Sequence, residues 1–113
     1  MQDRLFVTDN QGDWLGTSKL FHVQQGRFYG HPASLTWSSD WKKGRNPLKV
    51  AAGEFDAKRT RAAVLFPQGF MANSPTQPLP DSTMGRFGPF AGQLLVGEMN
   101  RSRIVRVMLD EVA

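Results

Sequence analysis

The stretch from Leu5 to Pro32, LFVTDNQGDWLGTSKLFHVQQGRFYGHP, decides the fold. Two short apolar runs flank a loop in which Asp9, Asn10, Gln11, Gly12 and Asp13 stand in a row, followed by Trp14 and Gly16. Leu5 to Val7 reads as a strand that ends at Thr8 and Asp9, whose side chains compete for the backbone. Lys19 to Val23 alternates, with Leu20 and His22 on one face and Phe21 and Val23 on the other, the period of a second strand. Gln25 and Gly26 mark a turn. Beyond it Gly30 is expected to supply a positive φ, and Pro32 biases His31 towards extended backbone.

Downstream, residues 33–60 show weak periodicity. Trp37 and Trp41, four apart, are expected on one face of a short helical turn that Gly44 and Pro47 keep from growing. A stretch that long without strands reads as an excursion with its own apolar anchors, Trp37, Trp41 and Leu48. Arg61 to Phe66 is the next strand expectation, stopped by Pro67 and Gly69. The segment PQGFMANSPTQPLPDSTMGRFGPF is punctuated by proline and glycine and reads as mostly irregular. Gly92 to Glu98 and Arg103 to Asp110 then form the clearest strand pair. The connecting residues MNRS have hairpin length, and Asn100 is expected to take the unusual backbone angle. Val105, Val107 and Leu109 share one face of the last strand, and Ile104, Arg106 and Met108 the other.

The chain has 113 residues, room for one small domain with a modest core. Eleven glycines and seven prolines fall between short apolar runs, which favours strands and loops over helices. The absence of cysteine excludes a disulfide framework and a thiolate metal site. No apolar run approaches the roughly 20 residues of a membrane span. MQDRLFVTD lacks the regions of a signal peptide, so the expectation is either a cytosolic chain or a piece whose targeting segment lies elsewhere. The net charge is +4, and Lys42, Lys43, Arg45, Lys49, Lys58, Arg59 and Arg61 fall in one region. Without a nucleic-acid motif or interleaved aromatics, that run reads first as a solvated loop and second as a polyanion site.

Short hairpin strands joined by long loops are compatible with a sandwich, a small barrel or a repeat array. LFVTDNQGDW and LLVGEMNRSR repeat one pattern: an apolar run, an acid, an amide and a polar loop. At about 40 to 50 residues per propeller blade, the chain would hold roughly two to two and a half blades.

FVTDNQGDWLGTSKLFHVQQGRFYGHP resembles the glucose/sorbosone dehydrogenase-like β-propellers, in which a polar loop after one strand precedes a second strand and a G-x-x-YG-x-P turn. Gly26, Tyr29, Gly30 and Pro32 match that turn. FPQGFMANSPT and FGPFAGQLLVGEMNRSRIVRVML resemble the next blade, with its P-x-G-x-x-x-x-S-P loop, G-x-L-x-V-G strand and I-x-R-V return strand. The resemblance implies an all-β fold: about two to two and a half blades of a six-bladed propeller, with long loops. Residues 1–60 would be a first blade region with an excursion and 61–113 a second. It is closest to propeller modules of large bacterial secreted proteins, some linked to haem-carrying domains, and so implies a periplasmic or secreted setting.

The implied activity is that of a fragment of a PQQ-dependent sugar or aldose (sorbosone) dehydrogenase, inactive in isolation. The alternative is a non-catalytic propeller module acting as a binding or scaffolding domain. Catalytic members hold pyrroloquinoline quinone and calcium at a central site, and calcium takes about six to eight oxygen ligands. Asp9, Gln11, Gly12 and Asp13 are the nearest matches to the family's calcium loop; their other reading is strand termination. Arg101 and Arg103, at the last hairpin, are the candidates to meet an anionic cofactor, with solvation of that hairpin as the alternative. Where catalytic members carry an acid pair before the second strand, this chain has Thr17, Ser18 and Lys19. No histidine matches the family's catalytic base, which leaves the catalytic residues unassigned. Expected partners are the remaining blades of a longer chain and an electron-accepting domain, with neither a membrane span nor nucleic acid.

Overall fold

The computed structural model describes residues 3–12 and 15–111. The protein is built mostly from strands, arranged in two small antiparallel sheets with few helices: an all-β chain. The first sheet contains β1 (Leu5–Asp9), β2 (Ser18–Val23) and β3 (Val64–Phe66), in that order. The second contains β4 (Leu79–Pro80), β5 (Leu94–Glu98) and β6 (Arg103–Val107), again in chain order. Between β2 and β3 lie two short 3-10 helices, Pro32–Trp37 and Pro47–Lys49, and the helix α1 (Ala52–Lys58).

The chain forms two compact units, residues 1–23 with 62–113, and Gln24–Arg61. Both sheets belong to the first unit and close on one core. Register explains which residues enter it. Phe6 pairs with His22, Thr8 with Leu20 and Ser18 with Phe66, so these share the inner face of the first sheet. In the second sheet Leu94 pairs with Val107 and Val96 with Val105. Leu20, Phe66, Leu94, Val96 and Val107 are all buried, and Phe6, Val64, Val105 and Leu109 pack against them. The face shared by Val105, Val107 and Leu109 is thus the inward one.

β3 starts at Val64, not at Arg61. Ala63 still donates to the Leu20 carbonyl (2.9 Å), but the chain before it does not join the ladder. Because β3 pairs with β2, the first sheet draws on both sides of residue 60. In the β5–β6 hairpin Ser102, with φ 48°, takes the left-handed position expected of Asn100. At the turn after β2 it is Gly26, with φ 74°, that uses the left-handed region. Gly30 is needed for room instead: a Cβ there would lie 2.7 Å from the Ser34 hydroxyl.

Residues 24–61 have a core of Leu35, Val50 and Phe55, against which Phe28 and Trp41 pack. Two expected anchors are displaced outward. Trp37 is 89% exposed and Leu48 56%. The reason is 3-10 geometry, in which residues three apart eclipse: Pro32 and Leu35 turn inward together and leave Trp37 outside. Asn46 caps the second 3-10 helix by accepting from the Leu48 N–H (3.0 Å), with Pro47 at its first position. Phe28 and Thr60 tie the ends of the unit together, the Thr60 N–H donating to the Phe28 carbonyl at 2.8 Å.

Candidate functional site

The polar turn after β1 is built around a cation. Asp9 and Lys19 are directly opposed in the β1–β2 ladder, on the outer face of the first sheet. The Lys19 ammonium lies 2.9 Å from Asp9 Oδ2 and donates to the Asn10 carbonyl at 2.6 Å. Its side chain is only 6% exposed, so the stem is covered and the charge is delivered to the mouth of the turn. Gly12 donates to the Leu15 carbonyl (3.0 Å), which closes the turn tightly. Asp13, the fourth of the expected calcium ligands, lies outside the described residues, as does Trp14.

A calcium site needs several oxygens converging on one point, with carboxylates supplying the charge. Here the Asp9 carboxylate and the Asn10 carbonyl converge on the ammonium of Lys19. Among the described residues no three His, Cys, Asp or Glu side chains gather in a group that suits a metal ion. Asp9 and the Asn10 carbonyl as placed thus serve an internal cation that the sequence already provides, while Gln11 and Gly12 make no contact with it among the described residues.

Arg101 and Arg103 come together over a different segment. Arg101 donates to the carbonyls of Gly69 and Phe70, and Arg103 donates to the Phe70 carbonyl as well. Arg103 also forks onto Glu98 Oε2, with Nε at 3.0 Å and a terminal nitrogen at 2.6 Å. The same Glu98 oxygen accepts from the Ala72 N–H at 3.1 Å. Glu98 thus fastens the 69–72 loop to the β5–β6 hairpin, and the two arginines finish that clasp. Both guanidinium groups bind backbone carbonyls of that loop, and Arg103 also binds Glu98.

Glu98 is a functional-looking residue that motif reasoning passes over. Its side chain is fully buried, and its Oε1 has no hydrogen-bond partner among the described residues. Burial pushes its pKa up, but Arg103, the Ala72 N–H and Arg101 together outweigh this and hold the carboxyl below its ordinary value. A signal for it did exist. In LLVGE the parity of β5 puts Glu98 on the same inward face as Leu94 and Val96.

The outer face of the second sheet carries a groove of about 530 Å³ walled by Leu79, Leu95, Phe87 and Ile104, with Asp81 and Thr83 at its polar end. Asp81 Oδ1 accepts from the Thr83 N–H (2.8 Å) and hydroxyl (2.7 Å), which hold this carboxyl below the usual carboxylate range. His31 caps the first 3-10 helix, its Nδ1 accepting from the Ala33 N–H at 3.1 Å. His22 stacks on Phe6 with ring centres 5.2 Å apart.

Compared with family models, with curated proteins and with solved structures, the chain matches none at a significant level.

Proposed function

We propose that this chain is a segment of a β-propeller of the glucose/sorbosone dehydrogenase-like lineage and serves as a binding or scaffolding module, not as a quinone dehydrogenase. The observation that carries the reading is that both sheets, beyond burying apolar side chains on the inner face, also expose large apolar side chains on the outer one. A two-sheet sandwich keeps its outer faces polar. Here Leu5, Val7 and Leu65 are exposed on the outer face of the first sheet, and Leu79 and Ile104 on that of the second. Three-stranded antiparallel meanders in chain order, each with apolar side chains on both faces, suit blades that stack on further blades supplied by a longer chain.

The non-catalytic half of the proposal rests on the Lys19 ammonium between Asp9 and Asn10. Titrating calcium and then pyrroloquinoline quinone into the longer protein that carries the remaining blades, while following the amide resonances of residues 9–12 and the quinone absorbance, tests it directly. Neither signal is expected to saturate. Saturable calcium shifts in the turn, followed by quinone uptake, would restore the dehydrogenase reading.

A further inference from the structure

The net charge of the protein is concentrated in one unit. Residues 24–61 hold eight Lys and Arg against three Asp and Glu, a formal charge of +5, while the rest of the sequence holds six against seven. Within the unit every acid is already taken. Glu54 pairs with Arg45, Asp40 with Lys58 and Asp56 with Arg59. Arg27, Lys42, Lys43, Lys49 and Arg61 are exposed and form no ion pair among the described residues.

These five cations fall in two places. Lys42, Lys43 and Lys49 sit on one compact turn and the short 3-10 helix after it, where the Arg45 N–H donates to the Lys42 carbonyl (3.2 Å) and Gly44 takes φ 88°. Arg27 and Arg61 flank the hydrogen bond from Thr60 to Phe28. Arg27 also lines a groove of about 380 Å³ with Tyr29, Ser34 and Trp37. The largest exposed aromatic of the unit and an unpaired guanidinium thus share one concave surface.

We infer that the Gln24–Arg61 unit is a docking surface for a carboxylate-rich protein segment that presents an apolar or aromatic side chain to Trp37. Exposed Trp and Arg in a concave patch are the residue types that anchor protein interfaces. The other unpaired cations of the same unit, Lys42, Lys43, Lys49 and Arg61, attract an acidic partner from a distance. Single-stranded nucleic acid fits less well, because it calls for successive stacking platforms along a basic groove. Of the unit's other aromatics, Phe55 is buried and Phe28, Tyr29 and Trp41 are half-buried, Trp41 with the Arg45 guanidinium 5.2 Å from its ring centre, so that Trp37 is the one fully exposed ring. The inference stands on this unit alone and does not depend on the propeller reading.

The test is fluorescence anisotropy with the full chain and three labelled probes: a Glu-rich copolymer containing Tyr, poly-Glu, and oligo(dT). The copolymer is expected to bind at low ionic strength and to weaken as salt is raised. Reversing Lys42, Lys43 and Lys49 together to Glu is expected to lower its affinity by about tenfold or more. Trp37→Ala is expected to cost about tenfold for the copolymer and little for poly-Glu. If the triple reversal disturbs folding by circular dichroism, Arg27→Gln with Arg61→Gln provides the same readout at the other cation pair. No copolymer binding at low salt, affinities unchanged in the variants, or tighter binding to oligo(dT) at equal ionic strength would each overturn the inference.

Discussion

Gly97 has no positive φ to justify it, and its requirement is one of space. A Cβ on this residue would lie 2.8 Å from Thr76 Oγ1 and 3.0 Å from its Cγ2. Both backbone groups of Gly97 are engaged there, its N–H donating to Thr76 Oγ1 and its carbonyl accepting from the Thr76 N–H, each at 2.9 Å. Gly97→Ala must push Thr76 away and lose these bonds, at a cost of about 1–3 kcal/mol in urea denaturation. Adding Thr76→Ala removes both clashing atoms, so the double variant is expected to cost less than the two single changes combined. Strict additivity in that cycle would show that the contact is not what fixes Gly97.

At the level of elements, the β5–β6 hairpin holds the 69–72 loop through one carboxylate. The carboxyl of Glu98 is depressed below its ordinary value when folded, chiefly by Arg103 and the Ala72 N–H acting against burial. The stabilisation it gives is therefore fully present above the unfolded carboxyl value, about 4.3. It is lost as pH falls through the lower folded value. Denaturation midpoints of the wild type are expected to fall on acidification across this window, and Glu98→Gln to start lower and show a flatter dependence. Equal slopes for the two proteins would remove Glu98 from the clasp. The hairpin itself was legible from the alternation in GQLLVGE and RIVRVML, because a period of two survives in a strand with one buried face. The clasp was not, since it joins residues 26 or more positions apart. The same limit applies to the 33–60 excursion. Its apolar residues were visible, but which of them turn inward depended on 3-10 geometry, which put Leu35 inside and Trp37 outside.

For the molecule as a whole, the apolar outer faces govern behaviour in solution. Leu79 and Ile104, 65% and 70% exposed, both line the groove on the second sheet. If these faces are made to stack on further sheets, the isolated chain is expected to associate as its concentration rises. Leu79→Lys with Ile104→Lys is expected to shift it towards monomer in sedimentation velocity. A wild-type chain that stays monomeric and melts cooperatively would count against the propeller reading. The candidate metal turn is legible only in part: Asp9 and Gln11 are visible as oxygen donors, but Lys19, nine residues from Asn10, reads as the start of a strand and a departure from an acid pair, not as a cation for the turn. Folding places its ammonium between Asp9 and the Asn10 carbonyl. A charge tethered by a covalent side chain cannot be stripped by a chelator or diluted away. The tie of Asp9 and the Asn10 carbonyl to β2 is thereby uncoupled from the supply of divalent ions around the protein, which a contact built on a borrowed cation could never be.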